Sequence, residues 1–355
     1  MRLNCQRSDA EVAGHFSLCG LLLRLRNLYK WEHGLPPWRE EDSAPMLEWV
    51  SQREDLWLEI MEEGPQPLRL DGRVIDPFDS QALNELLAPC GLVYGAGRAG
   101  GLLPAFFLGR LEDRWQEDGL TVHQVGEELA RDIYFLPGLR QGGAIYLRRE
   151  PLAYLLWDKL ADPRASLGRF VDLGLAGYGM ERRGLMERPS WQALAPLLEG
   201  EMRAVCWHEL GEALDAGPAR PALRWALAEH PASELEHFAR GVGDLLADTG
   251  PHGRLARIIA AQARGALGLY PAWLAGFPRM LFPEMDAAVL QFSRDGDWEG
   301  IEQARLWGWR RGLEAVERLA PFQADESPAE ELRGRVRAQV IGPLAGSRPL
   351  PARPD

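Results

Sequence analysis

The sequence predicts a mainly α fold, a multi-helix domain with a small β element in the N-terminal half. Three observations lead there. Apolar residues recur at helical spacing along most of the 355-residue chain. The one strong alternation of apolar and polar residues surrounds Asp71-Gly72, and helical period returns at Glu150 and runs to about Arg337.

The first helix is predicted from about Asp9 to His33. Val12, Phe16, Leu18, Leu21, Leu22, Leu23, Leu25 and Leu28 cover nearly every side of it, and Gly34-Leu-Pro-Pro37 ends it. Such a helix is expected to be central and buried, so its Arg24, Arg26 and Lys30 need acidic partners or a place at the rim. A second helix starts with Ser43 as N-cap and Pro45 in the first turn, and passes Trp49 and Trp57 to Glu63. Leu68 to Ile75 alternates around Asp71-Gly72, a strong hairpin signal. Gly91 to Tyr94 and Ala144 to Leu147 are short apolar runs that can add strands, whereas Leu102 to Leu111 reads as an apolar helix and Trp115 to Thr121 as polar and helical. Further helices are predicted over 150–162, 190–215, 218–229, 233–248, 253–267, 284–293 and 296–319.

These elements suggest an N-terminal helical part with its β element over 1–149 and an all-α part over 150–341, packed with the first as one unit. Gly174 to Gly184, glycine-rich and weakly periodic, is the best internal boundary. Residues 342–355, rich in Pro, Gly and Arg, are expected to form a disordered tail.

A content of 46% hydrophobic and 26% charged residues is that of a folded globular protein. The net charge of −12 opposes a general affinity for nucleic acid or anionic membrane. The most apolar segment, Leu18 to Leu28, is interrupted by Arg24 and Arg26 and is neither a signal peptide nor a membrane span. Cys5, Cys19, Cys90 and Cys206 form no Cys-x-x-Cys pair, which argues against a disulfide framework or zinc ribbon and for a cytoplasmic location.

Gly95-Ala-Gly-Arg-Ala-Gly100 has the spacing of a dinucleotide loop, but no second strand with an acidic residue follows. A glycine turn that lets a strand pack on a helix is the better reading. Gly-x-Ser-x-Gly and His-Glu-x-x-His are absent, and His208-Glu-Leu-Gly-Glu212 lacks the second His of a zincin.

Two polar stripes carry more chemistry. Glu201, His208, Glu212 and Asp215, spaced by seven, four and three residues, fall in a narrow arc of the 190–215 helix at about 100° per residue. Glu234, His237, Asp244 and Asp248 do the same on the 233–248 helix, with Gly241 leaving room on the stripe. Placed side by side, the helices would bring Glu201, His208, Glu234 and His237 together as ligands of a carboxylate-bridged pair of iron or manganese ions. Glu212, Asp244 or Asp248 would then complete the shell. Only one Glu-x-x-His is present where such bundles use two, and amphipathic helices routinely place charge beside an apolar face, so a charged helix boundary is the competing reading. Elsewhere Trp307, Trp309, Arg310 and Arg311 lie on one short segment, a composition suited to contact with a protein partner.

Leu25-Arg-Asn-Leu-Tyr-Lys-Trp-Glu32, Val93-Tyr-Gly-Ala-Gly97 and Asp244-Leu-Leu-Ala-Asp-Thr249 together resemble a bacterial family of uncharacterised proteins of similar length. The resemblance covers the chain nearly end to end and implies no activity, cofactor or site. With no complete catalytic motif, the first functional expectation is a non-catalytic interaction or accessory protein. The alternative is a di-metal metalloprotein or oxidoreductase.

Overall fold

The computed structural model describes residues 1–99, 103–162, 164–216 and 220–346. The chain divides into two compact units, Met1–Asp158 and Lys159–Asp355.

In the first unit the long N-terminal helix is interrupted. Helix α1 (Arg2–Val12) ends in a 3-10 turn, and α2 (Leu18–Glu32) begins anew where the Ser17 hydroxyl accepts the Gly20 N–H. Leu25 and Leu28 are buried, but Leu18 is 73% exposed, which corrects the expectation of one helix buried on every side. The basic residues of α2 find few carboxylates. Arg24 donates to the carbonyls of Ile133 and Tyr134, Lys30 donates to that of Pro37, and Arg26 alone meets an acid, Asp158. Carbonyl oxygens at the end of a chain segment satisfy a buried cation without a second charge having to be desolvated.

Helix α3 (Ser43–Ile60) follows, then a two-stranded ladder of β1 (Leu68–Leu70) and β2 (Arg73–Ile75). Asp71 and Gly72 take φ of 49° and 72°, as a type I′ turn requires. Helix α4 (Ser80–Leu87) leads into the larger β structure.

That structure overturns the predicted fold class for this half of the chain. Strands β3 (Leu92–Ala99), β4 (Leu103–Glu117), β5 (Leu120–Arg131), β6 (Gly138–Gln141) and β7 (Ala144–Arg148) form one mixed sheet, and not a small β element. Their order is β3-β4-β5-β7-β6, with β5 and β7 parallel and the other neighbours antiparallel. The segment read as an apolar helix, 102–111, lies largely in β4. Phe106 packs with Cys5, Leu83 and Tyr94, whereas Phe107 packs with Val93, Val125 and Tyr146, so both faces of the strand are covered. A strand buried on both sides is apolar throughout and loses the alternation that would distinguish it from a helix. The segment read as polar and helical is the β4–β5 hairpin, with Asp118 and Gly119 at φ 48° and 81°. Gly95 to Arg98 lie inside β3, where a Cβ on Gly95 would come within 2.0 Å of the Phe107 ring. The glycine motif therefore serves strand packing, and its Gly100 lies outside the described residues.

Charge is buried in this sheet. Both carboxylate oxygens of Glu128 receive Arg148, at 2.5 and 3.1 Å, and Arg131 lies 2.6 Å from the same carboxylate. Arg131 also pairs with Glu150 at 2.8 Å. The Arg148 guanidinium is stacked on Phe107 and Arg131 on Trp31. Helix α5 (Arg149–Leu160) continues directly from β7.

Among the described residues of the second unit no strand is formed. Its helices are α6 (Ala165–Gly177), α7 (Arg182–Glu187), α8 (Trp191–Gly211), α9 (Pro221–Glu229), α10 (Glu234–Thr249) and α11 (Arg254–Ala260). They continue with α12 (Arg264–Trp273), α13 (Gly276–Leu281), α14 (Glu284–Asp295), α15 (Trp298–Leu319), α16 (Ala329–Val336) and α17 (Gly342–Ala345). The single helix predicted over 253–267 is broken at Gln262, which takes φ of 49°. Residues 342–345, placed in the tail by sequence, are helical, and 347–355 lie outside the described residues.

The stretch 174–184 is not a boundary. A Cβ on Gly177 would lie 2.5 Å from the Gly265 nitrogen, and one on Gly268 would lie 2.5 Å from the Gly174 nitrogen. These glycines let α6 and α12 cross backbone to backbone. Gly177→Ala is expected to lower stability by up to about 2 kcal/mol, because overpacking at about 1–3 kcal/mol exceeds the helix-propensity gain of about 1 kcal/mol. Gly243→Ala in α10, where nothing lies within 4 Å of the new methyl, should be neutral or stabilising. Denaturant melts of the two variants check this, and equal stabilities would contradict the close crossing.

Candidate metal centre

Helix α8 is started by Ser190, whose hydroxyl accepts the Ala193 N–H, and α10 by Ser233, which does the same for Glu236. At its C-terminal end α8 widens into a π-helical turn, Glu212–Ala216. Such turns shift the side chains that follow relative to the α-helical face. Gly211 brings the two elements together, since a Cβ there would meet the Ala247 carbonyl at 2.0 Å. Helical spacing of four on each element does the rest: His208 and Glu212 lie on one, Asp244 and Asp248 on the other.

His208, Glu212 and Asp244 converge. Each offers one ligand atom, all within 4.8 Å of one another, and all three residues are half-buried. His208 Nε2 lies 3.9 Å from Glu212 Oε1. The other ring nitrogen, Nδ1, is 2.8 Å from the Asp248 carboxylate, which is buried. A carboxylate on one imidazole nitrogen fixes the ring and its tautomer, and leaves the second nitrogen free to face an ion.

The electrostatics follow from this geometry. Burial alone would lower the His208 pKa, but the charge and hydrogen bond of Asp248, with Glu212 and Asp244 beyond, push it up to about 10. Burial raises Asp244; its neighbours Glu212 and Asp248 add to that against the opposing charge of His208, and it stands at about 7. For Asp248 burial is overcome by His208 and by Arg254, so its pKa falls below the usual carboxylate value. Near neutral pH the cluster therefore holds protons in the place where a cation would sit.

The remaining stripe residues are placed elsewhere. Glu201 is fully buried two turns from His208, about 10 Å along the helix axis. There it accepts the Tyr178 hydroxyl and the Trp273 indole N–H, each at 2.8 Å, and Arg254 at 3.4 Å. Burial, more than any other influence, raises its pKa. Arg254 also covers the Tyr270 ring and acts on Asp248, which links the two clusters. The Tyr270 hydroxyl is buried beside Asp248, and burial, with the charge of that carboxylate, raises its pKa.

Glu234 and His237 are exposed at the other end of α10, where Glu234 pairs with Arg337 at 3.4 Å. His237 is eleven residues before Asp248, about 16 Å of helix rise, while His208 is bonded to Asp248. One ion pair cannot use both histidines, since ligand bonds are about 2 Å and paired ions about 4 Å apart. The four-residue set Glu201, His208, Glu234 and His237 is thus not assembled. Gly241 leaves its room to another helix, because a Cβ there would meet Phe277 at 2.6 Å.

Asp215, expected on the same stripe, binds the His252 ring at 2.9 Å and its backbone N–H at 2.9 Å, a second histidine–carboxylate pair. In the tryptophan segment, Trp307 and Trp309 are half-buried, under Arg310 and Arg220 respectively. Arg311 is engaged by Glu284 at 3.2 Å, and Arg310 is exposed. Sequence reading did not find Tyr178, Arg254, Tyr270 or Trp273 as members of the buried network. The contacts of Tyr178, Arg254 and Trp273 with Glu201 cross 23 to 72 residues of chain, and no local spacing signals them.

Among the described residues, no helix is long and apolar enough to cross a membrane. Comparison with known proteins agrees with the resemblance noted in the sequence, to a family without an assigned activity. The N-terminal domain of a family of unknown function (DUF6866) matches residues 1–148, and the C-terminal domain of the same family matches residues 153–342. No curated protein and no solved structure matches the chain. With both domains of the family matched in order along its length, the chain belongs to the family of unknown function DUF6866.

Proposed function

We propose that the C-terminal unit binds a single divalent transition-metal ion through His208 Nε2, Glu212 and Asp244, with Asp248 holding the imidazole. The convergence of the three ligand atoms within 4.8 Å carries this reading, and the carboxylate on Nδ1 supports it as the usual outer-shell partner of a metal-bound histidine. One nitrogen and two carboxylate donors suit iron(II), manganese(II) or zinc(II). Three protein ligands leave coordination positions for water or a substrate oxygen, the arrangement of a reactive rather than a purely structural site. The reading replaces a di-metal cage with a mononuclear site.

The accessory-protein reading keeps one observation in its favour, the exposed Arg310 over Trp307. It and a metal site are compatible.

Metal analysis of protein purified without a tag, followed by calorimetric titration with Mn²⁺ and Zn²⁺, tests the proposal. About one ion per chain is expected, because ligand-rich sites fill in the folded state. Asp244→Asn and His208→Ala should abolish it. Binding must displace the proton of His208 and the share of a proton that Asp244 holds at pH 7, so about one to two protons should be released per ion, and affinity should rise with pH. Less than about 0.2 ion per chain, with no titration below about 0.1 mM and no difference in the variants, would sink it.

A further inference from the structure

A second concave site lies away from the histidine cluster, and we infer that it binds a small organic anion, a carboxylate or phosphate monoester with an apolar body. The cleft has a volume of about 410 Å³ between the C-terminal parts of α6 and α14 and the start of α12. That falls within the range of small-molecule pockets, about 300–1,000 Å³. Its floor is apolar, made by Leu173, Ala176, Val289 and Phe292, beside the glycine-mediated crossing of α6 and α12. Its charged wall is basic. Arg264 lies over the Phe292 ring at 5.6 Å, and Arg294 stands on the last turn of α14.

Neither arginine has a carboxylate within ion-pair distance among the described residues. Elsewhere in this unit Arg240, Arg279, Arg305, Arg311 and Arg318 are paired at 2.5 to 3.2 Å. The one acid in the wall, Asp295, is already engaged: its two oxygens accept the Gln291 amide at 2.7 Å and the Asp297 N–H at 2.9 Å. It acts on Arg294 only through charge. Two arginines against one such carboxylate leave the wall positive in a chain of net charge −12. Gly296, with φ of 71°, ends α14 without a side chain, and a Cβ there would come within 3.7 Å of the Arg264 guanidinium. An anion with a flat apolar body fits this combination, its charge at the guanidinium forks and its body on the floor.

The test titrates the full chain with phenyl phosphate, benzoate and the neutral benzyl alcohol, by calorimetry or ligand-observed NMR. At least one of the two anions should bind with a Kd below about 1 mM; which of them binds tighter separates a phosphate from a carboxylate ligand. Benzyl alcohol should bind at least about tenfold more weakly, and the double variant Arg264→Ala/Arg294→Ala should lose at least about tenfold for the anion. Both arginines are exposed, so the variant should fold, and circular dichroism verifies that. No anion binding below about 10 mM, equal binding of benzyl alcohol, or unchanged binding in the double variant would each overturn the assignment. The metal ligands are not altered, so this outcome is independent of the metal titration.

Discussion

Asp248→Ala is expected to lower the stability of the C-terminal unit by about 3–5 kcal/mol, the loss usual when one partner of a buried ion pair is removed. The imidazolium of His208 would keep only Glu212 and Asp244, at longer range, and its pKa should fall from about 10 toward or below the ordinary value. NMR titration of the His208 ring and urea melts read the two effects. A loss under about 1 kcal/mol with the histidine pKa unchanged would show that the pair contributes little.

The pH dependence has a definite sign. His208 has a folded pKa above that of the unfolded chain, so the pair's contribution is full below about pH 6.5 and is lost as pH rises toward about 10. Asp244 acts in a lower window: its folded pKa of about 7 also lies above the unfolded value, so the native state holds a proton that the unfolded chain releases from about pH 4 upward. Both groups make stability fall as pH rises, and a bound ion, which replaces their protons, should remove that slope. Although Asp248 is not itself a ligand in the proposed site, its loss should weaken metal binding by about 10–100-fold.

In the N-terminal unit the largest effect is expected from Glu128→Ala, again about 3–5 kcal/mol. Arg148 and Arg131 have side-chain exposures of 1% and 0%, and Glu128 touches both. Removing it leaves Arg148 without a bonded counter-charge and Arg131 with Glu150 alone. Stacking on Phe107 and Trp31 does not offset this: a desolvated cation–aromatic contact contributes about 2 kcal/mol or more, but it is already present with Glu128 in place. Denaturant unfolding followed by far-ultraviolet dichroism measures the loss. A cost near zero would mean that the two guanidinium groups relax to solvent, and that the sheet interior is less tightly closed than its burial indicates.

Much of the helical content is legible locally. Ser190 and Ser233 stand where side chains accept the first free N–H groups of α8 and α10, and Asp71-Gly72 turns its hairpin through φ values that this dipeptide tolerates. Of the five-stranded sheet, β3 and β7 were legible as the short apolar runs Gly91 to Tyr94 and Ala144 to Leu147; β4 was not, because it is covered on both faces and its run Ala105-Phe-Phe-Leu108 carries no period-two signal. Asp118-Gly119 was the readable clue to its hairpin, and the polar residues beside it masked that clue as helix.

The candidate site divides in the same way. By itself the sequence determined that His208 and Glu212, and Asp244 and Asp248, share a helical face, because four residues make close to one turn. Which turns of α8 and α10 stand opposite each other was decided only by the tertiary structure. The close approach at Gly211 brings Asp248 to His208 and leaves Glu234 and His237 in solvent, while Glu201 is drawn into a cluster with Tyr178, Arg254 and Trp273. Spacing within one helix is set by backbone geometry. Register between two helices is set by the side chains that pack between them, here above all by the glycines that bring none, and local sequence spacing carries no measure of it.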